Sequence, residues 1–96
     1  MITIYDEVGH GENWFTVSEV AKVIGMKDDN NRYYGRNKMY RLLREKGILL
    51  DNNYPYQQFI VLGIVQMHRV ERGNYTSYLP IFSMRGVNYL RKRLSS

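Results

Sequence analysis

The most informative absences in this 96-residue chain are cysteine, which does not occur, and long apolar runs. Without cysteine the chain has neither a disulfide framework nor thiolate chemistry. No apolar run approaches the roughly 20 residues that a membrane-spanning helix needs. The acidic start, MITIYDEV, lacks the features of a secretory signal. Together these absences predict a protein of the reducing cytoplasm with no membrane partner.

Patterns that carry catalysis or bind metals are also scarce. The two histidines, His10 and His68, stand apart from each other and from any metal-ligand cluster. No glycine-rich phosphate loop precedes a helix. The paired carboxylates Asp6-Glu7 and Asp28-Asp29 lie in hydrophilic, loop-like stretches, without the apolar pocket that acid–base catalysis requires. We therefore expect no catalytic residue, no cofactor and no metal, and we do not expect an enzyme.

What is present suffices for one small core. Hydrophobic residues make up 44% of the chain and aromatic residues 14%, which argues against a wholly disordered protein. No repeat, low-complexity tract or linker divides the sequence. We predict a single domain over residues 1–96, in which residues 1–15 are a lead-in segment. The alternation Ile2-Thr3-Ile4-Tyr5 predicts a short strand there.

The net charge of +5 is unevenly distributed along the chain. Residues 1–31 carry two Lys against six Asp and Glu, whereas residues 32–50 carry six Lys and Arg against one Glu. Four more basic residues follow at Arg85, Arg91, Lys92 and Arg93. With a pI near 9.6, this pattern predicts one side of the protein that faces a polyanion. An acidic protein surface would satisfy the same electrostatics.

The first basic block, between Gly35 and Gly47, has the pattern of an amphipathic helix. At about 100° per residue, one side carries Met39, Leu42, Leu43 and the stem of Lys46. The other side offers guanidinium and amide groups, which pair with base edges and phosphates in duplex DNA. The candidate DNA contacts on this helix are Arg36, Asn37, Lys38, Tyr40, Arg41 and Arg44.

Alternatives to DNA contact stay open for these residues. The polar face also fits an ordinary solvated surface, and Arg44 also suits a structural ion pair, for instance with Asp51. Tyr40 is equally a candidate for an aromatic at the edge of the core. The other tyrosines invite base stacking in single strands, but their helical or alternating spacing favours packing or contact with a partner.

Three further helices are predicted around the basic one. The first begins at Thr16, which has capping-box spacing to Glu19, and stops at Gly25. The second has Pro55 in its first turn and aligns Tyr56, Phe59, Ile60 and Gly63. The last is capped by Ser83, and its inward positions are Met84, Val87, Leu90 and Leu94.

A β-hairpin is predicted between the last two helices. Residues 64–70 and 75–82 flank a turn at Arg72-Gly73-Asn74, and Pro80 marks an edge strand or a bulge. This element order is that of an elaborated winged helix, an α+β fold in which the hairpin wing contacts neighbouring DNA backbone. Arg69 and Arg72, with His68, are the candidate wing contacts. One feature departs from a compact helix-turn-helix: ten residues separate Gly25 from the basic helix, so either the loop is enlarged or residues 30–34 form an extra turn.

Several stretches resemble the C-terminal domain of phage antirepressors, the KilA C-terminal type. The most specific are GRNK at residues 35–38, LREKGIL at 43–49, YPYQQFI at 54–60, VERGNY at 70–75 and SMRG at 83–86. The resemblance covers residues 15–94. It implies a phage or prophage origin and DNA binding in the switch between lysogeny and lytic growth, with a phage repressor or a host regulatory protein as a further partner.

The sequence therefore predicts a winged-helix-like α+β domain that binds double-stranded DNA in the bacterial cytoplasm. The alternative is a protein-interaction module that inhibits a repressor or host factor without touching DNA. Charge clustering alone does not separate the two, and neither the DNA sequence recognised nor the oligomeric state follows from the chain.

Overall fold

The computed structural model describes residues 14–94 and has four helices and a three-stranded antiparallel sheet in that range. The helices are α1 (Val17–Ile24), α2 (Arg36–Glu45), α3 (Gln57–Val61) and α4 (Met84–Leu94). The strands are β1 (Trp14–Thr16), β2 (Val65–Arg72) and β3 (Tyr75–Ser83). These elements confirm the predicted α+β class. The predicted strand at residues 2–5, together with Asp6-Glu7 and His10, lies outside the described residues.

Helix α1 begins with the predicted capping box. The Thr16 amide donates to the Glu19 carboxylate at 2.8 Å, and the Glu19 amide donates to the Thr16 hydroxyl at 3.3 Å. Gly25 ends the helix with a φ of 77°, a conformation that glycine adopts without steric cost. Val17, Val20 and Ala21 are buried in the core.

The predicted hairpin is confirmed, and we call β2, β3 and their turn the long hairpin. The strands pair antiparallel from Val65↔Phe82 to Arg72↔Tyr75, so Gly73 and Asn74 form a two-residue turn. Gly73 has a φ of 56°, the sign that the first position of a type II′ turn requires. The pairing extends two residues beyond the predicted end of the first strand.

Strand β1 was missed because three residues are too few to show an alternating pattern. It pairs with Ile81–Ser83 and makes β3 the central strand of the order β1-β3-β2. The expectation that Pro80 marks an edge strand is therefore wrong for β3 as a whole. Pro80 itself lies beyond the stretch that pairs with β1, where a residue without an N–H is tolerated.

The third helix is shorter than predicted. Helix α3 has five residues, and Gly63 terminates it with a φ of 76° rather than lying on its buried face. Pro55 bridges Leu49 two residues before the helix instead of occupying its first turn. Phe59 is buried, as expected, and its ring lies 5.6 Å from the ring of Tyr89.

The closing helix α4 is capped by Ser83, as predicted. The Ser83 hydroxyl accepts from the Gly86 amide at 3.0 Å and donates to the Gly63 carbonyl at 2.6 Å. A Cβ at position 86 would lie 2.1 Å from the Ile64 carbonyl oxygen, so this close approach requires glycine. Val87 and Leu90 are buried, whereas Met84 is 42% exposed, which corrects its predicted inward position. Met84 precedes the stretch of α4 that meets the core.

The long connection between α1 and α2 is a small hairpin, which we call the short hairpin (residues 27–33). Lys27 and Tyr33 form an isolated antiparallel bridge. The Asp28 carboxylate accepts from the amides of Asn30 at 2.9 Å and Arg32 at 3.1 Å. Asn31 has a φ of 65°, which asparagine tolerates better than most residues. The extra residues thus form an ordered element beside α2.

Candidate nucleic-acid interface

Helix α2 is held in place by its apolar side. Met39 and Leu43 are fully buried, and Leu42 packs against the same core. The helix begins after Gly35, and Gly47, with a φ of 77°, follows its last turn. The predicted division of α2 into an inward and an outward face is therefore confirmed.

The outward face carries three of the candidate contacts. Arg36, Asn37 and Arg41 are exposed. Within residues 14–94, none of their side chains makes a hydrogen bond or an ion pair. Unpaired guanidinium and amide groups on a rigid helix are available for an external partner.

Arg44 is used differently, because its guanidinium donates to the Asn53 side-chain oxygen at 2.5 Å. Asn53 lies in the connection after α2 and has a φ of 71°. Arg44 thus has a structural contact, which is a hydrogen bond to Asn53 rather than an ion pair with Asp51. A second contact anchors the same end of the helix: Arg93 donates to the Lys46 carbonyl at 2.7 Å.

Tyr40 lies at the boundary between the outward face and the core. It is half-buried and packs against the core cluster. Burial raises the pKa of its hydroxyl, and the positive charge of Arg36 acts in the opposite direction. Because the side chain also lines a surface groove, Tyr40 combines a packing role with a reachable edge.

That groove separates α2 from the long hairpin and has a volume of about 320 Å³. Arg36, Asn37 and Tyr40 line it on the helix side. Arg72 lines the opposite wall, together with Val70, Tyr75 and Ser77. The fold therefore brings the predicted wing residue Arg72 to the same groove as the basic helix, although the two lie far apart in the sequence.

Arg69 and His68 do not join this groove. Side chains alternate across a strand, so Arg69 lies on the face of β2 opposite to Arg72. Its guanidinium pairs with Glu71 at 2.5 Å, and both side chains are largely exposed. His68, also a candidate wing contact, pairs with Leu79 in the middle of the strand and is half-buried, away from the hairpin turn.

Lys38 lies on the opposite flank of α2, beside the short hairpin. Its ammonium nitrogen is 4.6 Å from the centre of the Tyr34 ring. The depression at this flank is lined by Lys27, Asp28, Asp29, Asn30, Tyr34 and Lys38. No sequence pattern singled out Lys27 as a contact, because a single lysine in a turn-rich stretch has no periodicity that signals its placement.

Two features are absent from the described part of the chain, a cluster of metal-ligating side chains and a helix that could span a membrane. Among residues 14–94 no three His, Asp or Glu side chains lie close enough together to hold a metal ion. In the same range no helix has the length and apolar character that crossing a bilayer requires.

Comparisons with known proteins give one family and one relative. The family model described as "Phage antirepressor protein KilAC domain" matches residues 1–96. The chain is 27% identical over 89 residues to the "SPbeta prophage-derived putative antirepressor protein YoqD" of Bacillus subtilis (strain 168). The alignment covers 90% of this chain and 34% of that protein, so the chain spans about a third of the length of this curated relative. No solved structure matches the chain.

Proposed function

Because the chain belongs to the phage antirepressor protein KilAC domain family, we propose that it is a phage or prophage regulator that binds double-stranded DNA. Residues 1–96 act as one winged-helix domain in the bacterial cytoplasm. Helix α2 enters the major groove, and the long hairpin serves as the wing.

The observation that carries this proposal is that α2 presents exposed polar and basic side chains, and that a basic residue of the long hairpin lies across the groove from this helix. Arg36, Asn37 and Arg41 have no partner among the described residues, and Arg72 faces the same groove as Arg36 and Asn37. In a winged helix such an arrangement lets one helix read base edges while the hairpin holds the backbone. Asn37 and Arg41 are the proposed base contacts, and Arg36, Lys38 and Arg72 the proposed phosphate contacts.

Three candidates take a smaller part in the proposal. Arg44 is engaged with Asn53, and Arg69 is engaged with Glu71. Each keeps unused N–H donors, since a guanidinium carries five, and is assigned to phosphate contact at the edge of the interface. Tyr40 offers its hydroxyl to the groove from a half-buried ring.

A mobility-shift titration of the full chain on random duplex DNA over a salt series tests the proposal. If roughly four to six phosphates are neutralised, log K falls with log salt at a slope of about −4 to −5. A chain that shows no binding to any duplex at low salt would contradict it.

Base reading is tested separately, on a cognate site selected from a random duplex library. Asn37→Ala and Arg41→Ala should each cost about 1–3 kcal/mol on that site and much less on random DNA. Arg72→Ala is the matched control, because a phosphate contact should weaken both complexes about equally. Unchanged affinity in the two α2 variants, with the fold intact by circular dichroism, would show that α2 is not the reading helix.

A second function has one observation in its favour, a group of exposed apolar side chains at the end of α3 and the start of α4. Val61 is 74% exposed, Leu62 52% and Met84 42%. The two segments are adjacent, since Arg85 donates to the Leu62 carbonyl at 3.1 Å. Exposed apolar side chains of this kind mark protein interfaces, here for a phage repressor or a host regulatory protein. Failure to bind duplex DNA, with retained pull-down of such a repressor that Val61→Asp abolishes, would favour this function.

A further inference from the structure

We infer that the short hairpin is a second backbone-holding element, in which Lys27 contacts a DNA phosphate on the side of α2 away from the long hairpin. The inference rests on the proposed function and adds to it a residue and an element that the function itself does not require.

The first support is the placement of basic groups on both flanks of α2. On one flank the groove wall carries Arg72 of the long hairpin. On the other flank the depression between α2 and the short hairpin carries Lys27 and Lys38. The exposed side chains of Asn37 and Arg41 lie between the two flanks at helical spacing.

This arrangement matches what a helix meets in duplex DNA. The major groove is about 12 Å wide, so a helix inside it has a phosphate backbone on each side. The long hairpin borders α2 on one side and so lies near one of these backbones. On the side of the other backbone, Lys38 of α2 is joined by Lys27 of the short hairpin, the described element that borders α2 there.

The second support is that both lysines are held in position before any ligand arrives. The Lys27 ammonium lies 4.9 Å from the centre of the Tyr33 ring, and the Lys38 ammonium lies 4.6 Å from that of Tyr34. A cation over a ring face keeps the donors that point away from the ring. Tyr34 is itself anchored, because it packs against the core and its amide donates to the Met26 carbonyl at 2.9 Å. Part of the conformational entropy that the lysine side chains would lose on binding is therefore already lost in the free protein.

Two carboxylates of the short hairpin, Asp28 and Asp29, line the same depression and oppose the charge of the lysines. Asp28 is committed to the turn, since its carboxylate accepts from two backbone amides. Asp29 is exposed and makes no hydrogen bond or ion pair within the described residues. Asp29 therefore opposes phosphate at close range, which gives the test a variant expected to gain affinity.

The test measures the salt slope on random duplex DNA for Lys27→Ala. Losing one phosphate contact should reduce the magnitude of the slope by about 0.9 and weaken binding about fivefold to tenfold at 0.1 M salt. Lys22→Ala is the matched control, because it removes the same charge from the outward face of α1. Asp29→Asn should tighten binding, most strongly at low salt, and a gain of affinity does not arise from misfolding.

The positioning role of the ring is tested with two substitutions of equal charge. Tyr33→Phe keeps a ring under the ammonium and should bind within about twofold of the wild type. Tyr33→Leu removes the ring and should weaken binding while leaving the net charge unchanged.

The inference and the proposed function fail in different ways. A wild-type chain that binds no duplex at low salt overturns the proposed function and this inference with it. If the wild type binds and Arg41→Ala weakens it, but Lys27→Ala and Lys22→Ala have the same salt slope as the wild type, only the inference about the short hairpin is overturned.

Discussion

Arg41 and Arg44 lie three residues apart in α2, and the sequence pattern assigns both to the outward face. Arg41 is exposed and has no hydrogen bond or ion pair among the described residues, whereas Arg44 is half-buried and donates to Asn53. The helix therefore has a free first half and an anchored last turn, where Arg93 also donates to the Lys46 carbonyl. A basic residue on an amphipathic helix can serve the fold as well as a ligand, and its local sequence does not say which.

The largest expected effect concerns the buried side that supports both halves of α2. Leu43 is fully buried, so Leu43→Ala should lower the free energy of unfolding by about 2–5 kcal/mol through lost burial and a cavity. Urea denaturation measures this. Arg41→Ala, on the opposite side of the helix, should change stability by less than about 0.5 kcal/mol. Equal losses in the two variants would remove the distinction between the two faces.

The anchored turn is tested next by removing either partner of its side-chain contact. Arg44→Ala should cost about 1 kcal/mol of stability, as expected for a partly exposed charged hydrogen bond. Asn53→Gly loses the acceptor but relieves the positive φ, whereas Asn53→Ala also places a Cβ in the left-handed region and should cost about 1 kcal/mol more. A double-mutant cycle of Arg44→Ala with Asn53→Gly isolates the contact. A coupling of zero would mean that Arg44 is as free as Arg41.

The alkaline titration of Tyr40 tests how far its hydroxyl is buried at the boundary between the exposed face of α2 and the core. Burial raises the pKa of Tyr40 in the folded state, so above its unfolded pKa of about 10 the folded protein binds more protons than the unfolded one. The resulting stability is present below about pH 10 and is lost as pH rises through the folded pKa. Wild-type stability should therefore fall faster between pH 10 and 11 than that of Tyr40→Phe. Parallel pH profiles would indicate that the hydroxyl is as solvated as those of the exposed tyrosines.

The smallest expected effect is on the short hairpin that borders the free half of α2. Hydrogen bonds from the Arg32 and Asn30 amides hold the pKa of Asp28 below its usual value of 3.8, against the opposing effect of desolvation. A lowered folded pKa gives stability that is present above about pH 4 and is lost as pH falls through it. The Arg32 and Asn30 amide resonances should shift below pH 4 in the wild type, and should not do so in Asp28→Asn. Identical titrations would show that the carboxylate does not hold the turn.

Local signals determined much of the fold in advance. Thr16 with Glu19, Gly25, Gly73 and Ser83 each specify a helix cap or a turn through short-range geometry, and the structure confirms all of them. The buried face of α2 also followed from periodicity, because residues three and four apart lie on one side of a helix. Three-residue β1 and the bounds of five-residue α3 did not follow, since neither element is long enough to show its period.

The sequence by itself determined which residues are basic, which face of α2 is buried, and where the chain turns, because these depend on contacts between near neighbours. Only the tertiary structure decided the use of each cation. Arg44 meets Asn53, Arg72 faces Arg36 across a groove, and Lys27 lines the same depression as Lys38. Most of these juxtapositions join segments that the chain keeps apart, and packing alone brings them together.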